Sequence, residues 1–216
     1  VEKAEAISKS RIKVTFDGRL ASVHASDFEV YADDGSGTKF ADLKVVAHSV
    51  NGDGKSEVVF ELSGKTMGTD VQGEVNNSTY SLGVKVVNNN NIRTKSFLGT
   101  AIDPNNSANN RPLEDKIAPE LVKAVVDSTG KTITLTFSEG LDPTKFANTL
   151  NGFSVSRGDL KSVNYSGAAN GVVILEGENF KAGSTTISYN DVAGLTDNSP
   201  NKNKLASFSG KKTTDN

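Results

Sequence analysis

The 216-residue sequence contains no cysteine and no tryptophan, and Met67 is its only methionine. Without thiols it can form neither disulfides nor thiolate metal sites, and its core must be built from Val, Ile, Leu, Ala and scattered Phe. Histidine is scarce too. His24 and His48 lie apart from any second metal ligand or nucleophile motif, so the sequence predicts that the protein is not an enzyme.

An excess of one charge and long apolar runs are also missing. The formal net charge is −2, and basic and acidic residues are interspersed along the chain, which argues against nucleic acid as a partner. No apolar run approaches the roughly 18 residues that a membrane-spanning helix needs. Three Gly-Lys-Ser/Thr tripeptides, at 54–56, 64–66 and 130–132, lack the leading glycine of a phosphate-binding loop and follow no strand–helix pattern.

Short alternating segments are what the sequence has instead, and they occur twice. Residues 11–16, Arg-Ile-Lys-Val-Thr-Phe, predict a strand with one face in water, and residues 131–137 repeat the pattern. Further landmarks recur in the same order at a period of about 110–120 residues, which indicates duplicated domains. The matched pairs are 27–30 with 152–155, 43–46 with 160–163, 58–60 with 172–174, and 96–99 with 207–210.

This duplication predicts an all-β fold of two tandem immunoglobulin-like β-sandwich domains with about seven strands each. We assign residues 1–102 to the first domain, 103–118 to a linker rich in turn formers, and 119–216 to the second domain. The strands of the second domain are predicted near 121–127, 131–138, 151–156, 160–165, 171–176, 184–189 and 203–209.

Four segments of the second copy carry a family resemblance. They are Asp-Lys-Ile-Ala-Pro at 115–119, the strand and turn at 133–141, Leu-Thr-Asp at 195–197 and Ala-Ser-Phe-Ser-Gly at 206–210. These segments resemble the opening, second-strand, late-loop and closing signatures of bacterial Ig-like repeats in surface-layer proteins and large adhesins. The first copy departs from the pattern, since Asp17 and Gly18 stand where the second copy has Ser138 and Glu139.

The resemblance implies a secreted structural component of a bacterial cell-surface layer or cell wall. Its partners would be neighbouring domains and protomers in a surface lattice, while any cell-wall polysaccharide would engage parts outside this chain. We expect the chain to be a piece of a longer array and to be monomeric in isolation. An adhesin or a carbohydrate-binding module is the alternative, and a passive spacer in a secreted enzyme is a third.

A structural calcium site that stiffens the interdomain junction is the main chemical prediction, and it follows from strand topology. In the second copy the first strand runs away from Asp115 and the second returns, so the following loop and the late loop at 190–203 should share one pole. Ca²⁺ takes six to eight oxygen ligands, drawn from carboxylates, amide carbonyls, backbone carbonyls and water. Asp and Asn are also ordinary turn residues, so a purely structural role stays open. The candidate ligands are Asp103, Asp115, Glu139, Asp142, Asp191 and Asp197.

Overall fold

The structure is a computed structural model, and it describes residues 1–33, 37–76, 78–87, 93–94, 110–147 and 150–215. The chain divides into two compact units, Val1–Ile117 and Ala118–Asn216. Within the described ranges, regular structure consists of β-strands and three short 3₁₀ turns. The predicted all-β fold class is therefore confirmed.

The first unit contains eleven described strands. Seven of them correspond to the seven strands of a sandwich, and the additional pieces are a hairpin partner, a short two-stranded ladder and a split last strand. The strands are β1 (Lys3–Ser8), β2 (Arg11–Thr15), β3 (Leu20–Ser22), β4 (Phe28–Ala32), β5 (Lys39–Val50), β6 (Ser56–Ser63), β7 (Gln72–Val75), β8 (Ser78–Val86), β9 (Arg93–Thr94), β10 (Arg111–Pro112) and β11 (Glu114–Asp115).

The second unit contains eight described strands in two sheets. One sheet has the order β15-β16-β13-β12-β19 and the other has the order β14-β17-β18. Counted from its first strand, this unit sets strands one, two, five and four against strands three, six and seven, the strand order of constant-type immunoglobulin domains. The strands are β12 (Leu121–Val126), β13 (Thr132–Phe137), β14 (Phe153–Val155), β15 (Asp159–Asn164), β16 (Val172–Glu178), β17 (Thr186–Tyr189), β18 (Phe208–Lys212) and β19 (Thr214–Asp215).

Both units end with a strand that changes sheets. In the first unit, β10 pairs antiparallel with β8, and β11 then pairs parallel with β1. In the second unit, β18 pairs antiparallel with β17, and β19 pairs parallel with β12. The crossover residues are buried, Leu113 in one unit and Thr213 in the other. Glu114 and Asp115 thus correspond to Thr214 and Asp215.

Each unit has its own apolar core, built by the alternating strands that the sequence predicts. Ile12, Val14 and Phe16 point inward and are fully buried, and their counterparts in the second unit are Ile133, Leu135 and Phe137. Burial of such side chains stabilises a fold by about 1.5–3 kcal/mol each relative to exposure, which makes these strands the centre of each sandwich.

Two features of the sequence prediction differ from the observed strands. The closing strand of the second unit begins at Phe208, five residues later than the 203–209 prediction starts, and it continues to Asp215. Residues 111–117, within the predicted linker 103–118, belong to the first unit, where they supply β10, β11 and the core side chains Leu113 and Ile117. The predicted landmark at 96–99 lies outside the described residues.

Candidate metal centre

Two of the predicted metal ligands come together within the second unit. Glu139 follows β13, and Asp197 lies in the late loop between β17 and β18. A carboxylate oxygen of Glu139 lies within 4.8 Å of one of Asp197. Asp197 is fully buried, and Glu139 is partly buried. Two carboxylates at this separation repel each other, and a cation between them would relieve that repulsion.

Asp197 is held rigidly by its own loop. Its Oδ1 accepts hydrogen bonds from Ser199 N at 3.0 Å, Ser199 Oγ at 2.8 Å and Asn203 N at 3.1 Å. Its Oδ2 accepts one from Asn203 Nδ2 at 2.8 Å. The backbone N–H of Asp197 in turn donates to Asn203 O at 3.0 Å. These bonds fix the carboxylate in one orientation, which limits the entropy that a metal ligand loses on binding.

Asp142 lies in the loop after β13 but forms a different structure. Its Oδ1 accepts from Thr144 N at 3.0 Å and Thr144 Oγ1 at 2.7 Å, so it caps the short turn Pro143–Lys145. Its Oδ2 lies 3.3 Å from Lys202 Nζ. The hydrogen bonds from Thr144, reinforced by the Lys202 ammonium, lower the pKa of Asp142 below its ordinary value despite burial. Asp142 therefore has a cationic partner of its own.

Asp191 is engaged by a buried tyrosine. The Tyr189 hydroxyl accepts a hydrogen bond from Leu195 N at 3.0 Å and interacts with the Asp191 side chain. Burial raises the pKa of the Tyr189 phenol, and the nearby Asp191 charge raises it further. Tyr189 thus contacts both the start and the middle of the late loop. Asp191 is exposed at the surface.

The remaining two candidates are not part of the second unit. Asp115 is in β11 of the first unit, three residues before the second unit begins at Ala118. Its Oδ1 accepts a hydrogen bond from Ile117 N at 2.8 Å. Asp103 lies outside the described residues. The described part of the second unit alone therefore supplies one carboxylate pair, Glu139 and Asp197.

Ser199 and Asn203 are important to this site, and sequence reasoning did not select them. They organise Asp197 through every hydrogen bond described above. The available signal was the spacing: an Asp followed by Ser two residues later is typical of an Asx turn, in which the side chain accepts from the backbone. Asn203 is six residues further along, so only the folded loop shows its contact.

The four tyrosines do not form one exposed platform. Tyr189 is 2% exposed in the core of the second unit, and Tyr165, at 41%, stacks on Phe146 with ring centroids 5.1 Å apart. In the first unit Tyr80 packs on the core, and Tyr31 lies beneath the Lys85 ammonium. No cluster of open aromatic faces of the kind that stacks on sugars is present among the described side chains of either unit.

Comparison with known proteins decides the family. A family model described as outer cell wall protein domain 7 matches residues 2–116, more than half of the chain. The chain belongs to this family. The match to outer cell wall protein domain 7 begins and ends within one residue of the first structural unit. Membership of this family indicates a cell-wall-associated domain.

Other comparisons add little to this family assignment. No curated protein matches the chain. A solved structure of InvD from Yersinia pseudotuberculosis is similar at 14% sequence identity, with a TM-score of 0.26. The alignment covers 99% of this chain and 56% of that one, and the score is too low to establish a shared fold. Within the described residues, no helix has the length and apolar character needed to cross a membrane.

Proposed function

We propose that this chain is a structural module of a bacterial surface layer, in which tandem immunoglobulin-like units form stiff building blocks of a lattice. The observation that carries the proposal is the match of the entire first unit to an outer cell wall protein domain. The second unit supports it with the same strand order and the same sheet-switching last strand. Repeating one sandwich along a chain gives length and stiffness without a catalytic pocket.

We further propose that Ca²⁺ binds to Glu139 and Asp197 of the second unit. Support comes from the closeness of the Glu139 and Asp197 oxygens and from the rigid, hydrogen-bonded setting of Asp197. Carboxylate oxygens are the ligands that Ca²⁺ prefers. Binding to the folded chain alone would stabilise it by about 2.7 kcal/mol at a hundredfold excess over Kd.

The alternative of a carbohydrate-binding module loses support from the tyrosines. Two of the four pack against an apolar core, and the partly exposed Tyr165 is stacked on Phe146. Sugar recognition commonly uses open aromatic faces, which the described residues do not gather in either unit.

Calcium titration calorimetry tests the calcium proposal. We expect the chain to bind Ca²⁺ and to melt at a lower temperature after chelation. Glu139→Gln should weaken binding at least tenfold, because the variant keeps the side-chain shape and removes one charge. Glu178→Gln is the matched control, since Glu178 is an exposed acid of the same unit that pairs with Lys161. Equal binding by all three proteins, or identical melting with and without chelator, would exclude this calcium site.

Lattice formation needs a separate test. The purified chain, joined to the further domains of its parent protein, should assemble into ordered sheets visible by electron microscopy. Deleting residues 1–117, the family-matched unit, should abolish the lattice or alter its spacing. An unchanged lattice after this deletion would show that the module is a passive spacer.

A further inference from the structure

Unpaired lysines concentrate at one side of the second unit. Between Asp197 and Asp215 the sequence has four lysines and no acidic residue. Of these, Lys202 pairs with Asp142, whereas Lys211 and Lys212 form no ion pair with any described residue. Lys123, on the neighbouring strand β12, is also without an ionic partner in the described structure.

Five lysines of the first unit are paired instead. Lys3, Lys13, Lys39, Lys55 and Lys85 each lie within 4.0 Å of a carboxylate. Neutralised pairs of this kind leave little net attraction for an external anion, whereas three unpaired ammonium groups around one surface depression produce a positive potential. The gathering of three such lysines distinguishes this side of the second unit.

A groove runs between these lysines. One part, of about 150 Å³, is lined by the first half of β12 and by Lys211, Lys212 and Thr214. A second part, of about 380 Å³, shares Leu121 and Lys211 with the first and continues to Glu120, Leu205 and Phe208, so the three lysines gather around the first part. The groove therefore extends along the gap between the edges of the two sheets.

Both walls of the groove are strand edges. β12 pairs with β19 only at Val125 and Val126, so no described strand covers the outer edge of Leu121, Val122 and Lys123. β18 lies at the end of its sheet, with β17 on one side. Val122, at 66% exposure, lies on the rim. A linear ligand fits a groove of this form better than a compact one does.

The side chains of the groove suit an anionic ligand such as a phosphate. All three cations are lysines, which act as flexible point charges and are common phosphate ligands. We propose that this groove, which we call the lysine groove (Leu121–Ala124 with Phe208–Lys212), binds a linear phosphate-bearing polymer of the cell wall. The proposal rests on the cell-wall family and is independent of lattice formation and of calcium.

Binding of poly(glycerol phosphate) to the full chain tests the lysine groove. Fluorescence anisotropy is measured in chelator, so that calcium cannot bridge polymer and protein, at low and at physiological salt. We expect saturable binding that weakens as salt rises, because bound polymer releases counterions. The triple variant Lys123→Gln, Lys211→Gln, Lys212→Gln should bind the polymer about tenfold more weakly than the wild type.

A second triple variant provides the matched control. Lys44, Lys145 and Lys181 are exposed lysines with no described ionic partner, and their change to Gln removes the same charge elsewhere. The control should retain wild-type binding, and both triple variants should melt like the wild type. Equal losses in the two variants, absence of binding by the wild type, or tighter binding of polyglutamate than of poly(glycerol phosphate) would each overturn the proposal.

Discussion

The two units of this chain share a strand order but differ in the side-chain pairs between their first two strands. Strand β1 of the first unit places Glu5 opposite Lys13, and the equivalent pair in the second unit is Val125 opposite Thr134. Glu5 is only 6% exposed, and its two carboxylate oxygens lie 2.7 Å from Lys3 Nζ and 3.1 Å from Lys13 Nζ. The same strand order therefore tolerates either a buried ion cluster or an uncharged pair.

The ion cluster also attaches the last strand of the first unit. Lys3 Nζ lies 3.3 Å from Glu114, which pairs with Glu5 across the parallel β1–β11 ladder. The second unit holds its equivalent strand with uncharged contacts, as Thr213 Oγ1 donates to Thr185 O at 2.9 Å. A cluster of charges needs every partner to be present, so the first unit should be more sensitive to single changes and to acid.

A second difference lies at the opposite side of the sandwich. In the first unit β4 pairs with β5 at Val30–Ala41 and Tyr31–Lys39, which joins the two sheets into one continuous path. In the second unit the equivalent strands, β14 and β15, belong to separate sheets. The comparison teaches that sheet closure can vary while the strand order is kept.

The largest expected effect comes from truncating matched core residues. Ile12 and Ile133 occupy equivalent positions and are fully buried. Changing either to Ala should lower the free energy of unfolding of its own unit by about 2–5 kcal/mol, because the change loses buried area and leaves a cavity. Hydrogen exchange measured by mass spectrometry should show faster exchange in the altered unit only. Equal acceleration in both units would mean that the cores are not separate.

Removing one partner of the buried cluster should have the next largest effect. Lys13→Met leaves Glu5 with fewer charged donors and should destabilise the first unit by about 2 kcal/mol. The double variant Glu5→Val, Lys13→Thr introduces the pair found in the second unit and should recover most of that loss. Urea unfolding of the three proteins checks this, and a double variant less stable than Lys13→Met would contradict the equivalence.

Acid should affect the first unit through the same cluster. Burial alone raises the pKa of Glu5, but hydrogen bonds from Lys3 and Lys13 outweigh it, so the pKa lies below the ordinary 4.5. The stabilisation is thus complete above about pH 4.5 and is lost as pH falls through the lowered pKa. Urea unfolding at pH 7 and pH 3 should show a smaller pH effect on the first unit in Glu5→Gln than in the wild type.

The smallest effect is expected at an exposed ion pair of the second unit. Lys161 and Glu178 are both about half exposed, so water and salt screen their attraction. Lys161→Met should change the unfolding free energy by less than about 0.5 kcal/mol. A loss comparable to that of Lys13→Met would show that exposure does not explain the difference between the units.

Much of this fold could be predicted from period-two alternation. All seven strands predicted in the second copy overlap observed strands, the last by two residues only, because residues such as Ile133 and Leu135 alternate with polar neighbours. The last strand was misplaced because Leu205 resembles a strand residue, although the Asp197–Asn203 hydrogen bonds hold that segment in a loop. Strands β10 and β11 were missed since Pro112 and Asp115 resemble linker residues and Leu113 alone is apolar between them.

The candidate site was only partly predictable for a related reason. Strand topology brings loops to a common pole, but it does not fix where each side chain points. Asp142 accepts a hydrogen bond from Thr144, and Asp191 interacts with Tyr189. The carboxylate of Asp197, by contrast, lies close to that of Glu139. Those choices depend on local turns and packing, which period and spacing do not encode.

Differential scanning calorimetry of the whole chain, with and without Ca²⁺, tests the central claim most directly. Two separately cored units predict two transitions. The transition that Ile133→Ala shifts belongs to the second unit. Because the calcium site includes Glu139 and Asp197, the midpoint temperature of that transition should rise in Ca²⁺. A single transition, or a second-unit transition that does not move with Ca²⁺, would contradict the account.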